Sequence, residues 1–147
     1  MGTNMFHKSH WELDPQRAGL GLATLKPDRF VALRAGNDAA ELLTYAFKLP
    51  SNRVFVNAST GANGWIRLEV LEADRKPVPG FSEADCAPIT GDSTCHAVGW
   101  RGLDGGVSIL GRPVRLRLRA QDASVYSIYC SEPEESPVYH RFSSARP

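Results

Sequence analysis

The sequence lacks the features that would point to a membrane or to nucleic acid. No apolar stretch in the chain approaches the roughly 20 residues that span a bilayer. Its charge is almost balanced, because 17 Lys and Arg stand against 16 Asp and Glu and leave a formal net charge of +1. Such a balance gives no electrostatic case for attraction to nucleic acid or to an anionic membrane. We therefore expect neither kind of partner.

Cysteine is also scarce, and its count is odd. Cys86, Cys95 and Cys130 occur with no CxxC motif and no histidines at ligand spacing. We therefore expect no metal site and no other cofactor. Cys86 and Cys95 flank one loop and could form a disulfide, but free thiols throughout are the favoured alternative. The cysteine content therefore does not distinguish an oxidising from a reducing compartment.

The two ends of the chain differ in composition from its middle. Residues 1–16 lack the apolar centre of a signal peptide and are interpreted as a leader. Residues 132–147 are acidic and contain Pro and Ser, so we interpret them as a tail or linker. Residues 17–131 then form one domain, the number expected for a chain of this length.

What the chain has in abundance is alternation. Residues 114–120 place aliphatic side chains on one face and arginines on the other, because successive residues of a strand point to opposite sides. This pattern is typical of an antiparallel sheet with one core face and one solvated face. Residues 65–72 alternate in the same way, and the apolar run 30–33 predicts a strand covered on both faces.

Strand-like segments separated by turn residues recur along the whole domain. They predict an all-β fold, specifically an antiparallel β-sandwich that is jelly-roll-like and has eight to nine strands. The only short helical alternative lies at residues 38–43. The irregular stretch 77–94 is long enough to be either functional or pinned by its own packing. The strand candidates are residues 20–25, 29–34, 41–49, 53–57, 65–72, 96–100, 114–120 and 125–130.

An ordered series of short motifs covers residues 17–130. They are residues 18–23, 28–33, 42–44, 53–58, 67–71, 85–86, 111–117 and 125–127, with Lys76-Pro77-Val78-Pro79-Gly80-Phe81, Gly91-Asp92-Ser93-Thr94 and Trp100. In order and spacing the series resembles the β-sandwich module found C-terminal to five-bladed propeller domains in bacterial glycosyl-hydrolase-like and sialidase-like proteins. The acidic tail departs from that pattern, as does Cys95, where a charged residue is more usual.

The resemblance implies a non-catalytic accessory module, since that family's sugar chemistry is assigned to the propeller and no catalytic residue carries over. We therefore expect a carbohydrate-binding module of a secreted or extracellular glycosidase-like protein, with a glycan or a propeller-type domain as partner. The alternative is an interaction or structural domain that docks a partner domain and has no sugar site. A small hydrolase is the weakest hypothesis.

Sugar-binding modules stack flat rings on the apolar faces of pyranoses, so the candidate ligand residues begin with tryptophan. Trp65 shares the solvated face of its strand with two charged residues, and Trp100 either stacks on sugar or caps the core. The arginine stripe is either a solvated face with cross-strand partners such as Glu69 or a site for an acidic glycan or acidic partner. The candidates are Trp65, Arg67, Glu69, Asp92, Trp100, Arg115, Arg117 and Arg119.

Other polar residues have simpler interpretations. Asp92 is either an anchor for a ligand or cation or part of a turn before a strand. Ser93 and Thr94 near His96 do not form a nucleophile motif, because neighbours on a strand point to opposite faces. The sequon at Asn57 coincides with a strand end and is interpreted as fortuitous.

Overall fold

The computed structural model describes residues 21–106 and 108–130, and these form one antiparallel sheet of six strands. The all-β prediction is confirmed, while the described residues hold fewer strands than the eight or nine expected. A 3-10 helix spans Glu83–Asp85, and the short helix α1 spans Arg101–Asp104. The strands are β1 (Leu33–Ala35), β2 (Ala40–Leu43), β3 (Phe47–Lys48), β4 (Val54–Glu72), β5 (Asp92–Ala97) and β6 (Pro113–Cys130).

The long strand β6 organises the sheet. On one side it pairs with β4 along nearly its whole length, and β5 pairs with the first part of β4. On its other side β3, β2 and β1 pair in turn with successive parts of β6. That edge is therefore divided into short pieces, a common protection against edge-to-edge association.

The strand count is lower than expected mainly because predicted neighbours are continuous. Residues 53–57 and 65–72 belong to one strand, β4, and residues 114–120 and 125–130 belong to one strand, β6. The turn residues between them form a bulge, not a hairpin. The ladder pairs Thr60 with Ala123 and resumes at Trp65 with Gln121, so extra residues of β4 face Asp122 alone.

This bulge depends on glycine. Asp122 has a φ of 43°, a left-handed conformation that Asp tolerates better than most residues. Its carboxylate occupies the space beside Gly61 where a side chain would be, and its carbonyl does the same beside Gly64. The bulge divides the long ladder into two parts. We call 65–72 with 114–120 the alternating half, and 54–60 with 123–130 the covered half.

Several predicted boundaries are wrong. The helical alternative at 38–43 is replaced by β2, and the single strand expected at 41–49 is split into β2 and β3. Residues 21–25, part of the first candidate, form no strand. Strand β5 starts at Asp92 and ends at Ala97, so it overlaps only the first two residues of the expected strand 96–100. The predicted leader 1–16 and tail 132–147 lie outside the described residues.

The core follows the alternation of the sequence. Every second side chain of the alternating half is almost completely buried, and these side chains join the aliphatic residues of the covered half in one cluster. Burial of each such side chain stabilises the fold by about 1.5–3 kcal/mol. The core positions of the alternating half are Ile66, Leu68, Val70, Val114, Leu116, Leu118 and Ala120.

The long irregular stretch 77–94 is pinned by its own packing against the free edge of β4. The amide of Val70 donates to the carbonyl of Phe81, and Ile66 exchanges two backbone hydrogen bonds with Ile89. Between them, the Leu68 amide donates to Sγ of Cys86 at 3.3 Å. The Phe81, Cys86 and Ile89 side chains are all buried. The stretch therefore continues the sheet irregularly.

Candidate functional site

The charged face of the alternating half brings most of the predicted site residues together. Arg67 lies directly opposite Arg119, and Glu69 lies directly opposite Arg117. Trp65 begins the same row and faces Gln121 across the ladder. We call this surface the polar face; it lies opposite the aliphatic core positions, as the alternation predicts.

Glu69 and Arg117 form an internal pair. Nε of Arg117 donates to Oε2 of Glu69 at 2.7 Å, and the two side chains also form a salt bridge. Glu69 is only 4% exposed, so its carboxylate is not free to meet a sugar. The sequence hypothesis of a cross-strand partner for the arginine stripe is confirmed at this position.

The next charged pair along the sheet, Arg67 and Arg119, consists of two positive charges. Nη1 of Arg119 donates to Oε2 of Glu83 at 3.0 Å. Nη1 of Arg67 lies 3.5 Å from the backbone carbonyl oxygen of the same Glu83, at the limit of a hydrogen bond. The 3-10 helix that carries Glu83 therefore brings a single carboxylate to two guanidinium groups.

Arg115, the third residue of the stripe, connects two neighbouring segments to β6 by hydrogen bonds. Its Nε donates to the carbonyl of Ala73 at 3.1 Å, and its Nη1 donates to the carbonyl of Thr44 at 3.0 Å. These bonds hold the turn after β4 and the segment between β2 and β3 against β6. Two nitrogens of the guanidinium are therefore engaged by the backbone, which gives Arg115 a structural role.

Trp65 lies at the rim of an open depression of about 360 Å³. The indole is partly exposed, and its Nε1 donates to Oε1 of Gln121 at 3.2 Å, which fixes the ring. Arg67, Glu83 and Pro88 complete the lining. The depression therefore combines an aromatic ring, a guanidinium group and a carboxylate, drawn from β4 and from the irregular stretch beside it.

Trp100 is part of the core, so the sugar-stacking interpretation does not fit it. The residue is 2% exposed, and its Nε1 donates to the carbonyl of Leu68 at 2.8 Å. Its ring packs against Phe81, with the ring centroids 5.7 Å apart. Together with the Cys86 thiol, the indole satisfies backbone groups at the edge of β4 that no regular strand reaches.

Asp92 is held within the chain. Lys26 Nζ lies 2.6 Å from its Oδ2, and Arg29 Nη2 lies 2.6 Å from its Oδ1. Hydrogen bonds from Lys26 and then Arg29 lower the pKa of this carboxyl to about 2. Both oxygens therefore have cationic partners already, and an anchoring role for a ligand or cation does not fit this arrangement.

Arg29 forms a polar cluster on the covered half that sequence reasoning missed. Its Nε donates to Oδ1 of Asn57 at 2.9 Å, and its guanidinium lies 4.5 Å from the centroid of the Tyr126 ring. Asn57 also donates to the carbonyl of Pro27 at 2.8 Å. Because Asn57 is 0% exposed, its sequon is closed to modification in the folded chain. No local pattern distinguished Arg29 from the surface arginines.

A second surface missed by sequence reasoning is apolar. Three adjoining depressions lie between the short strands β1–β3 and β6. The run 30–33, expected to be covered on both faces, borders them with Phe30 and Val31 exposed. The residues lining more than one depression are Leu33, Leu42, Val125 and Ile128.

In the part of the chain that the structure describes, the hydroxyl groups near His96 in sequence are not brought together with it as a nucleophile and base. His96 pairs with Val56 and Ser127 pairs with Asn57, so these two side chains lie on opposite faces of the sheet. Nε2 of His96 and Oγ of Ser127 are buried and have no hydrogen-bond partner among the described residues. Ser93 Oγ accepts a hydrogen bond from the Cys95 amide at 3.0 Å, a local turn interaction.

The cysteines are free thiols, so the possible Cys86–Cys95 disulfide is not formed. Burial raises the pKa of both Cys86 and Cys130. Within residues 21–106 and 108–130, no group of three or more His, Cys, Asp or Glu could hold a metal ion. No helix in this part of the chain has the length and apolarity needed to cross a membrane.

Comparison of the chain with family models, with curated proteins and with solved structures gave no match.

Proposed function

We propose that this chain is a non-catalytic accessory module of a glycosidase-like protein, and that it binds carbohydrate at the depression beside Trp65. The observation that carries the proposal is the partly exposed, oriented indole lining a depression together with a guanidinium group and a carboxylate. A flat ring stacks on the apolar face of a pyranose, while the flanking polar groups exchange hydrogen bonds with its hydroxyls. Pockets for small ligands combine these elements in the same way.

The state of the carboxylates supports binding in preference to hydrolysis. Glycoside hydrolysis needs two carboxyl groups flanking the bond, one of them able to donate a proton. On the polar face, Glu69 is buried against Arg117, and Glu83 accepts a hydrogen bond from Arg119. The carboxylates of both acids are therefore engaged by arginine side chains, and neither is left free to act on a bound sugar.

We further propose that the sheet belongs to a jelly-roll-like β-sandwich of the module that the sequence resembles. Two features support this. The bulge at Gly61 and Asp122 interrupts both long strands at one level, and bulges bend strands. Side chains from both sides of the bulge also share one hydrophobic cluster.

A second candidate function is docking of a propeller-type partner domain, and the apolar depressions favour it. Phe30, Val31 and Leu33 are exposed beside depressions lined mostly by aliphatic side chains. Exposed apolar patches of this kind mark interaction surfaces. This surface is formed by β1–β3 and β6, so variants there are separable from variants in the Trp65 depression.

The test compares an aromatic residue of the depression with an aromatic residue elsewhere on the surface. The full chain is screened on a glycan array, and its affinity for the best neutral or charged oligosaccharide is measured by calorimetry. Trp65→Ala is expected to weaken binding at least about tenfold, since loss of one stacked aromatic ring removes a binding hot spot. Tyr45→Ala, which removes an exposed ring elsewhere, should leave affinity unchanged. Equal losses, or no glycan bound by the wild type, would contradict the proposal.

A further inference from the structure

We infer that the Trp65 depression selects an anionic sugar, one bearing a carboxylate or a sulfate, and that Arg67 is the group that binds the anion. This inference rests on the proposed function, because it names the class of glycan for the same site. It is carried by the charge balance around Arg67 and by the position of Arg67 relative to the indole.

The charge balance begins with two like charges facing each other. Arg67 and Arg119 are directly opposite on neighbouring strands, an arrangement that is unfavourable unless a counter-charge lies nearby. The Glu83 carboxylate supplies one, but its oxygen bonds to Arg119 at 3.0 Å. Arg67 reaches only the Glu83 carbonyl oxygen, at 3.5 Å. One negative charge therefore stands beside two positive charges.

The excess charge is local to the depression. Two residues further along β4, the facing pair is Glu69 and Arg117, which neutralise each other. Within the part of the chain that the structure describes, no carboxylate lies within ion-pairing distance of Arg67. Arg67 therefore has donors available for an additional acceptor, and a guanidinium fork matches the paired oxygens of a carboxylate or sulfate.

The position of Arg67 suits a sugar that stacks on Trp65. The two residues lie on the same face of one strand, and positions two apart on a strand are about 7 Å apart. That spacing is comparable with the width of one sugar ring. The volume of about 360 Å³ falls in the range of small-molecule sites. A pyranose stacked on the indole would thus present its acidic substituent to the guanidinium.

The decisive experiment uses the full chain and a matched pair of ligands. Oligogalacturonate and its fully methyl-esterified form differ in charge but share the same sugar rings. A sulfated oligosaccharide serves as the third probe, because sulfate, like carboxylate, can present a pair of oxygens to a guanidinium group. Affinities are measured by calorimetry near physiological ionic strength, where exposed charges more than about 8 Å apart are largely screened.

Three variants separate the site from general electrostatics. Arg67→Gln removes the proposed anion-binding group, and Glu83→Gln removes the single counter-charge beside it. Arg75→Gln is the charge-matched control, since Arg75 is an exposed residue of the turn after β4. Among residues 21–106 and 108–130, Arg67 makes one long hydrogen bond, to a carbonyl, so its substitution is expected to change the melting temperature very little.

We expect the wild type to bind an anionic probe about tenfold or more tightly than the neutral ester, because hydrogen bonds to charged groups carry that much affinity. Arg67→Gln should abolish the difference, Glu83→Gln should increase it several-fold, and Arg75→Gln should keep it within about twofold. A preference between carboxylate and sulfate identifies the source of the anion.

Other outcomes overturn the inference in distinguishable ways. Equal binding of oligogalacturonate and its ester, still dependent on Trp65, would refute anion selection and leave the proposed function standing. Equal losses in Arg67→Gln and Arg75→Gln would refute the assignment to Arg67. Failure of the wild type to bind any oligosaccharide would refute both the proposed function and this inference.

Discussion

The alternating half and the covered half of the β4–β6 ladder differ in the face of the sheet that points away from the hydrophobic cluster. In the alternating half, the second face carries charged side chains that pair across the strands, as Glu69 and Arg117 do. In the covered half, Phe55 and Asn57 occupy the corresponding face and are both buried. The residues before β1 contribute to that burial, because Asn57 donates to the carbonyl of Pro27 and accepts a hydrogen bond from Arg29.

The difference shows that one strand can have a solvated second face along part of its length and a buried second face along the rest. Both halves contain alternating side chains, and both send aliphatic residues into the same cluster. What differs is the environment of the other face. Arginine in the alternating half reaches water and a strand neighbour. Arg29, which packs on the covered half, instead reaches a buried amide, an aromatic ring and Asp92. Arginine is therefore a surface residue in the alternating half, whereas Arg29 stabilises the packing on the covered half through its contacts.

The largest expected effect tests the shared core. Leu116→Ala removes a side chain that is 2% exposed in the alternating half. The loss of buried surface and the resulting cavity should cost about 2–5 kcal/mol in free energy of unfolding. Denaturant unfolding measures this cost, with Arg75→Ala as the control expected to stay within about 0.5 kcal/mol. A cost near that of the control would mean that the face assignment is wrong.

The next prediction compares the cost in stability of removing Arg29, which packs on the covered half, with that of removing an arginine of the alternating half. Arg29→Ala leaves the buried Asn57 amide oxygen without its partner and should cost about 2–3 kcal/mol. Arg67→Ala, in the alternating half, should cost about 0.5 kcal/mol or less. Both values come from chemical denaturation under the same conditions. Similar costs for the two substitutions would remove the distinction between the covered and the alternating half.

The bulge that separates the halves gives a smaller effect. A Cβ on Gly61 would overlap the carboxylate of Asp122, so Gly61→Ala should cost about 1–2 kcal/mol. Adding Asp122→Gly removes the overlapping group and suits the positive φ of that position. Thermal unfolding should therefore show recovery in the double variant. Additive losses would indicate that the two residues do not share this space.

The smallest expected effect is a pH dependence at Asp92, which pairs with Arg29 beside the covered half. The folded pKa of Asp92 is lowered from 3.8 to about 2 by hydrogen bonds from Lys26 and Arg29. A lowered folded pKa stabilises the fold above the unfolded value, and that contribution disappears as pH falls through the folded value. Asp92→Asn should therefore flatten the loss of stability between pH 3.8 and about 2. Unfolding measured across that pH range provides the test. If the variant loses stability with falling pH as steeply as the wild type, the ion pairs of Asp92 with Lys26 and Arg29 do not contribute as proposed.

The candidate site was partly predictable from the sequence. Alternation placed Trp65 and Arg67 on one face, and the facing residues Glu69 and Arg117 pair as cross-strand partners should. It did not predict that Glu83 from the irregular stretch would reach Arg119, because that contact joins segments far apart in the chain. For the same reason Trp100, whose role the sequence left open, is located only by its contacts with Leu68 and Phe81.

The sequence by itself determined the all-β class and the sharing of faces, because a side-chain period of two is a local property of an extended backbone. Only the tertiary structure decided that Gly61–Gly64 form a bulge instead of a hairpin, since the same residues suit both and the long pairing of β4 with β6 selects one. It also decided which charges are neutralised. Lys26 and Arg29 are unremarkable along the chain, and they become partners of Asp92 because folding brings residues far apart in sequence to within hydrogen-bond distance.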